Sequence, residues 1–207
     1  MPYKRASDGV RDRRPGAPLD ELKIVVAGGF GVGKTTMIGT VSEIEPLTTE
    51  ERLTVAGAGI DDLEGIASKS TTTVAMDFGR ITFADHSLIL FLFGTPGQER
   101  FWFLWDDLSY GAVGVVVLAD TRRLENSFAA IDWCEQRDLP FIVAVNEFDD
   151  AAFRYTPDEV RQALKLDKLI PVVTCDVRQH DSAMNVLITL VDRSLDVRRA
   201  STSGALA

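Results

Sequence analysis

A glycine-rich stretch that ends in a lysine and a threonine constrains this chain more than any other feature. Residues 28–35 read G-G-F-G-V-G-K-T, which fits the phosphate-binding pattern G-x-x-x-x-G-K-[ST] in full. The apolar run at 22–27 predicts a buried strand before it, and residues 36–41 predict the start of a helix after it. An ordinary glycine turn before a helix is the alternative, and the full match in this context disfavours it.

The residue types of this loop suit a nucleotide's phosphates. Glycines let backbone N–H groups approach a phosphate chain closely, and a helix N-terminus adds unpaired N–H groups. Lys34 supplies a positive charge for the β- and γ-phosphates, and the Thr35 hydroxyl is placed to ligate magnesium. We therefore predict that the phosphates are bound by Gly28, Gly29, Phe30, Gly31, Val32, Gly33, Lys34, Thr35 and Thr36.

Composition narrows the class of protein. With 207 residues and 45% apolar content, the chain fits one domain with extensions, and its net charge of −9 disfavours nucleic acid and anionic membranes as direct partners. Residues 1–20 are predicted to form a disordered basic arm. Cys134 and Cys175 lack a metal-binding spacing, which favours a reduced, cytoplasmic protein. No apolar run approaches the roughly 20 residues of a membrane span.

Apolar strands alternate with helical patterns along residues 21–199. This order predicts an α/β fold of three layers with a mostly parallel six-stranded sheet and one antiparallel edge strand. The strands are expected at 22–27, 73–83, 87–93, 113–119, 141–145 and 171–174. Residues 45–72 are expected to form an extended loop, 124–137 and 181–199 helices, and 200–207 a flexible tail. Thr156, Pro157 and Glu159 have the pattern of a helix start.

Further motifs resemble the Ras superfamily of small GTPases, whose G-domain has this fold. Residues 94–101 read G-T-P-G-Q-E-R-F, similar to the family's D-T-A-G-Q-E-R-F, and residues 146–149 read N-E-F-D where the family has N-K-x-D. The chain most closely resembles the actinobacterial conservon GTP-binding proteins and, more distantly, the bacterial polarity GTPase MglA. That resemblance implies a roadblock-type protein and a sensor histidine kinase complex as partners, an activating protein in trans, and membrane contact only through partners.

The resemblance also assigns roles near the γ-phosphate. Thr73 opens T-V-A-M-D-F and would be the switch I threonine that ligates magnesium together with Thr35, although Thr71 and Thr72 adjoin it. Gly97 would offer its N–H to the γ-phosphate, and Gln98 would orient the attacking water. Gln98, Lys34 and Gly97 are thus the expected catalytic residues.

The guanine base would be recognised by the residues after two later strands. Asp149 would accept two hydrogen bonds that adenine cannot offer, and Asn146 would hold the base pocket together. The full set that the resemblance implies for guanine is Asn146, Glu147, Asp149, Cys175 and Asp176.

Three departures from the family pattern stand out. Gly94 replaces the aspartate that supports magnesium, so the metal is expected to bind more weakly or to use another carboxylate. Glu147 replaces the lysine that covers the base. The loop before Thr73 is much longer than in Ras, and Arg52 is its only candidate for an arginine finger, against the simpler interpretation of a solvated charge.

The expected function is therefore binding of GTP or GDP with Mg²⁺ and slow hydrolysis of GTP as a signalling switch in the cytoplasm. A nucleotide-binding scaffold with little or no hydrolysis and an ATPase are the alternatives. Residues 101–105 read F-W-F-L-W in the switch II position. Trp102 and Phe103 are expected either to dock a roadblock-type partner or to pack in the core.

Overall fold

The central sheet accounts for most of the described chain. The computed structural model describes residues 19–54, 71–97, 103–149 and 151–204, with side chains at all of these except 48–54, 71–75 and 201–204. Seven strands form one sheet in the order β2-β3-β4-β1-β5-β6-β7. They are β1 (Asp20–Ala27), β2 (Leu47–Thr54), β3 (Thr71–Phe83), β4 (Leu88–Gly94), β5 (Gly114–Ala119), β6 (Phe141–Asn146) and β7 (Val172–Cys175).

The predicted mostly parallel sheet is confirmed. Strand β1 pairs in parallel with β4 and β5, and β5, β6 and β7 continue in the same direction. Strand β3 runs antiparallel to β4, because only a short turn at Ala84–His86 joins them and Ser87 there has a φ of 50°. A connection this short cannot carry the chain back to the start of a parallel strand.

The six predicted strands are all present, but the edge of the sheet differs from the prediction. Strand β2 lies within 45–72, which was expected to be a loop, and pairs antiparallel with β3 from Leu47↔Phe78 to Thr54↔Thr71. The sheet of the described residues therefore has seven strands, and the antiparallel strand β3 is one position in from the edge. Strand β2 was not predicted because its sequence is polar. An edge strand can form through backbone pairing with its neighbour and does not need an apolar face.

Helices cover both faces of the sheet. The helices are α1 (Lys34–Val41), α2 (Phe103–Ser109), α3 (Phe128–Gln136), α4 (Pro157–Ala163) and α5 (His180–Gly204). In β1, Ile24 and Val26 belong to one apolar core with residues of α1 and α5. Val25 and Ala27 belong to a second core with residues of α2, α3 and α4. This alternation is the expected result of a strand that is buried on both sides.

The boundaries of two helices and one strand differ from the sequence prediction. The helix expected at 124–137 begins as a 3₁₀ segment at Thr121–Ser127, where Arg123 leaves helical geometry, and α3 follows it. Helix α5 continues to Gly204, so residues 200–204 of the expected tail are helical, since no helix breaker precedes that glycine. Asp20 is already part of β1 rather than of the basic arm.

The predicted start of α4 is confirmed. The Thr156 hydroxyl accepts from the Glu159 N–H, and the Glu159 carboxylate accepts from the Thr156 N–H in return.

Across the described residues, no helix combines the length and apolar content that a membrane crossing needs. The parallel strands end at one edge of the sheet, where ligands of open α/β sheets bind.

Candidate functional site

The phosphate loop lies between β1 and α1, and its backbone requires glycine at two points. Gly28 has a φ of 139° and Gly33 a φ of 108°, both in a region that side chains disfavour. A Cβ at Gly28 would lie 2.5 Å from the Leu118 carbonyl oxygen, and one at Gly33 would lie 2.9 Å from Asn146 Nδ2. The glycines therefore permit the loop to pack against β5 and against the end of β6.

Lys34 is the first residue of α1 and is buried beneath this loop. Its ammonium donates to the Gly28 carbonyl at 2.9 Å and to the Gly29 carbonyl at 2.8 Å. Burial lowers the pKa of Lys34 to about 8, and the nearby Asp77 carboxylate opposes this shift. Near neutral pH the site thus holds a cation that is poorly solvated and suited to phosphate oxygens.

Asp77 fills the position that Gly94 leaves open. The two residues are direct partners across β3 and β4, and a Cβ added at Gly94 would lie 3.2 Å from the nearer Asp77 carboxylate oxygen. The Thr35 hydroxyl donates to that same oxygen at 2.6 Å, and Asp77 is only 8% exposed. A buried carboxylate therefore adjoins the predicted magnesium-binding hydroxyl, but it comes from the neighbouring strand.

These groups fit a magnesium ion. Mg²⁺ in nucleotide sites is held by one or two carboxylates or hydroxyls, by phosphate oxygens and by water, and it needs no cage of protein ligands. No cluster of three or more His, Cys, Asp or Glu residues suited to a metal occurs among the described residues. Because the Thr35 O–H points to Asp77, a lone pair of the hydroxyl oxygen remains available for a cation.

The turn after β4 closes over the phosphate loop. A Cβ at Gly97 would lie 2.8 Å from Lys34 Nζ and 3.0 Å from the Phe30 backbone nitrogen, so Gly97 packs directly on the loop. Beneath this turn, Trp105 donates its indole N–H to the Pro96 carbonyl at 3.2 Å. Trp105 is 2% exposed and meets Trp133 edge to face at 5.2 Å between ring centroids. Helix α2 thereby fixes where the turn begins.

Asn146 joins three segments of the site. Its side-chain amide donates to the Val32 carbonyl of the phosphate loop at 3.0 Å and accepts from the Val177 N–H at 3.2 Å. Asn146 is 4% exposed at the end of β6. One side chain therefore holds the phosphate loop, the end of β6 and the loop after β7 in register.

Arg178 links the two carboxylates beyond Asn146. Its guanidinium donates to both oxygens of Asp149, at 2.6 and 3.1 Å, and to both oxygens of Asp176, each at 2.9 Å. Hydrogen bonds and charge from Arg178 hold the pKa of Asp149 below its ordinary value, and hydrogen bonds from Arg178 do the same for the pKa of Asp176. Both carboxylates are therefore ionised acceptors near neutral pH.

Glu147 and Cys175 complete this end of the sheet. The Glu147 carboxylate pairs with the Arg154 guanidinium at 2.7 Å, so a cation lies beside Glu147. The Glu147 N–H donates to the Cys175 carbonyl at 2.7 Å. Cys175 is buried, and burial raises the pKa of its thiol to about 12, so it is a neutral group in the wall of the site.

One protein family matches most of the chain. The family described as "Conserved hypothetical ATP binding protein" matches residues 26–197, which include the phosphate loop and every strand except the start of β1. The chain belongs to this family. It is a nucleotide-binding P-loop protein, and the presence of the G-domain strand order and loop geometry agrees with that assignment.

The sequence identity to individual curated proteins is below 30% for the two relatives described next. The chain is 29% identical over 132 residues to an uncharacterized protein of Methanocaldococcus jannaschii, covering 63% of this chain and 72% of that protein. It is 28% identical over 185 residues to human Ras-related protein Rab-7b, covering 84% of this chain and 83% of Rab-7b. The sequence similarity to a Ras-related protein therefore extends over nearly the whole domain.

Solved structures support the fold. The cytosolic domain of the T. maritima FeoB iron transporter superposes with a TM-score of 0.58 at 18% identity, covering 84% of this chain and 64% of that one. The FeoB G-domain of Methanococcus jannaschii gives a TM-score of 0.57 at 13% identity, covering 85% and 99%. The chain spans less than two thirds of the first structure, and both show that it has the G-domain fold.

The structure brings together most of the residues that the sequence predicted for the site. The phosphate loop, Gly97 and the five predicted base residues lie where β1, β4, β6 and β7 end. Gln98 and Trp102 lie outside the described residues, and the side chains of Thr73 and Arg52 are not described. Phe103 is described and is 61% exposed, so of the two alternatives for this residue, packing in the core is wrong.

Three residues of the site were missed by the sequence analysis, namely Asp77, Arg154 and Arg178. Asp77 is an acidic residue in the middle of β3, between the apolar Met76 and Phe78, which was a signal that could have been used. It is a carboxylate beside Thr35 and opposite Gly94, as the sequence analysis expected when it allowed for another carboxylate at the metal. Arg154 and Arg178 carry no signal of their own, because exposed arginines are common on any surface.

Proposed function

We propose that this protein binds GTP with Mg²⁺, hydrolyses it slowly to GDP and phosphate, and acts as a switch whose loops respond to the γ-phosphate. Lys34 and the loop N–H groups would hold the phosphates, with Thr35, supported by Asp77, and Thr73 at the magnesium ion. The ion would neutralise charge on the phosphate oxygens. Gln98 would orient the attacking water, and Gly97 would contact the γ-phosphate.

One observation carries the choice of guanine. The Asp149 carboxylate already accepts two parallel N–H bonds from a planar group, the Arg178 guanidinium. Guanine presents the same pair of donors through its amide N–H and its amino group, whereas adenine does not. The similarity to Rab-7b, a Ras-related protein, supports the same choice.

ATP is the second candidate, and a specific observation favours it. The family to which the chain belongs is described as ATP binding, and Glu147 departs from the guanine motif of the Ras superfamily. A nucleotide-binding scaffold that hydrolyses little is a third reading, supported by Gly94. Asp77 weakens that support, because it supplies a carboxylate where Gly94 has none.

Two measurements test the proposal. Nucleotide released by denaturing the purified protein and resolved by anion exchange should be GDP or GTP, and unlabelled GDP should displace labelled GTP where ADP does not. Phosphate release under single-turnover conditions should then exceed that of a Lys34→Met variant. Recovery of ADP or ATP would refute the choice of guanine, and phosphate release equal to that of the variant would favour the scaffold.

We further propose a roadblock-type partner, as in the conservon GTP-binding proteins that the motifs resemble, acting with a sensor histidine kinase complex. Such partners would place this cytoplasmic protein at the inner face of the membrane and could activate hydrolysis in trans. The exposed Phe103 ring, at the start of α2, supports a docking surface beside switch II. A Phe103→Ala variant should bind the partner at least tenfold more weakly, as expected for an aromatic anchor. Unchanged affinity would refute this contact.

A further inference from the structure

Arg178 holds the carboxylate that the proposed function assigns to the guanine base. It approaches Asp149 edge-on with two parallel hydrogen bonds, at 2.6 and 3.1 Å between nitrogen and oxygen. The contact is open to solvent, since the Asp149 side chain is 78% exposed and that of Arg178 is 50% exposed. Nothing in this geometry buries the pair or requires it for packing of the described residues.

The guanidinium and the edge of guanine are chemically equivalent at this contact. Guanine carries its amide N–H and its amino group on one shared carbon, which is the same guanidine fragment as in arginine. Both groups are planar and offer two parallel donors to a carboxylate. Because a carboxylate presents one edge to such a fork, guanine and Arg178 cannot both occupy this edge of Asp149.

Asp176 is a second carboxylate that binds Arg178 at the same time as Asp149 does. The Arg178 Nε donates to one Asp176 oxygen and Nη2 donates to the other, both at 2.9 Å. If Arg178 leaves Asp149, these two bonds keep its charge paired. Displacement therefore breaks half of the contacts rather than all of them, which makes the exchange reversible.

The backbone around Arg178 also belongs to the site. Val177, its neighbour, donates its N–H to Asn146, and the Arg178 N–H donates to the Asp176 carboxylate at 3.0 Å. The guanidinium is thus carried on a segment that is tied to the phosphate loop through Asn146. The guanidinium can turn together with the Asp176 carboxylate while the backbone stays fixed.

We propose that Arg178 is a built-in competitor of the base: it binds Asp149 by imitating the guanine edge, and it must move away when a guanine nucleotide enters. This inference rests on the proposed function, because it takes Asp149 as the base-binding carboxylate. Arg178 thereby lowers nucleotide affinity and slows nucleotide entry.

The predicted effect has an unusual sign. Removing a positive charge near a polyanionic ligand ordinarily weakens binding, whereas removing a competitor strengthens it. If the Arg178–Asp149 pair is present about 80% of the time, the apparent dissociation constant is about fivefold above its intrinsic value. Arg178→Ala should therefore bind GDP about fivefold more tightly, mainly through a faster association rate.

The experiment measures GDP binding to the full chain after removal of bound nucleotide, by calorimetry and by stopped-flow fluorescence with a labelled GDP. Arg178→Lys keeps the charge but lacks the planar fork, so its affinity should fall between those of the wild type and Arg178→Ala. Arg199→Ala is the matched control, because it removes the same charge about 30 Å from the start of α5, where Arg199 pairs only with Asp196 within the described contacts.

The outcomes separate the two proposals. Tighter binding and faster association for Arg178→Ala, with an unchanged Arg199→Ala control, support the competitor. Saturable GDP binding to the wild type with equal or weaker binding to Arg178→Ala overturns the competitor alone. Absence of saturable GDP binding to every variant refutes the proposed function and the inference together.

Discussion

Replacing Asp77 by asparagine should selectively weaken magnesium binding. The Asp77 carboxylate is 8% exposed and accepts the Thr35 hydroxyl at 2.6 Å, so it orients the group that is expected to ligate the ion. Asparagine has the same shape and can still accept this bond. The variant therefore removes the negative charge and leaves the packing nearly intact.

The magnitude follows from two comparisons. A hydrogen bond to a charged group contributes about 1.5–3 kcal/mol and one between neutral groups about 0.5–1.5 kcal/mol, so the loss is about 1–1.5 kcal/mol. Loss of a supporting carboxylate at a metal site typically lowers metal affinity about 10–100-fold, or about 1.4–2.7 kcal/mol. We expect the Mg²⁺ concentration that half-protects bound GDP from dissociation to rise about 10–100-fold.

The assay is the rate at which labelled GDP dissociates during a titration with Mg²⁺. A Mg²⁺ dependence equal to that of the wild type would refute the role of Asp77, and so would an equal loss of GDP affinity in the absence of metal.

A second variant moves the carboxylate. Gly94→Asp alone should destabilise the fold by about 1–3 kcal/mol, because its Cβ would lie 3.1 Å from Asp77 Cβ and from Ile38 Cδ1. Adding Asp77→Gly should remove the contact with Asp77. The double variant should then need about the same Mg²⁺ concentration as the wild type to protect bound GDP.

Three other predictions concern the loop, the strand end and the turn. Burial lowers the pKa of Lys34 to about 8, so nucleotide affinity should fall about tenfold per pH unit above pH 8. The unfolded chain binds more protons than the folded one between about pH 8 and 10.5, so Lys34 should make the free energy of unfolding rise with pH there. In pH titrations, a Lys34→Met control should lose the pH dependence of nucleotide affinity and that of the free energy of unfolding. Asn146→Ala leaves the Val32 carbonyl and the Val177 N–H unpaired and should lower the free energy of unfolding, measured with denaturant, by about 2–4 kcal/mol. An unchanged free energy of unfolding would contradict this prediction. Trp105→Phe removes the bond to the turn and should slow single-turnover hydrolysis while leaving GDP affinity unchanged, and a parallel loss of affinity would contradict that division of roles.

Local patterns allowed much of the fold to be predicted. The loop from Gly28 to Thr35 was recognised because its backbone needs glycine at fixed positions, and these requirements appear in consecutive residues. The start of α4 was recognised for the same reason, since Thr156 and Glu159 are three residues apart and satisfy each other's backbone groups. Buried strands such as β5 and β6 can be predicted because their sequences are nearly continuous apolar runs.

Features that depend on pairing across the chain were harder to predict. Strand β2 is polar and exists because β3 offers it an unpaired edge, so its own sequence resembled a loop. The kink at Arg123 and the continuation of α5 to Gly204 likewise depend on the surroundings more than on residue type. Asp77 and Arg178 were missed because Thr35 and Asp149, which they contact at the site, lie on other segments.

The sequence by itself determined that the chain binds a phosphate chain and that it alternates strands with helices, because these properties depend on residues that are close along the backbone. Only the tertiary structure decided which carboxylate stands beside Thr35 and which cation stands beside Asp149. The hydrogen-bond register of β3 against β4 sets Asp77 opposite Gly94, and the parallel pairing of β6 with β7 sets Asn146 beside Cys175, just before Arg178. Register is set by the apolar faces of the paired strands and by the turns between them, and no single residue in the sequence encodes it.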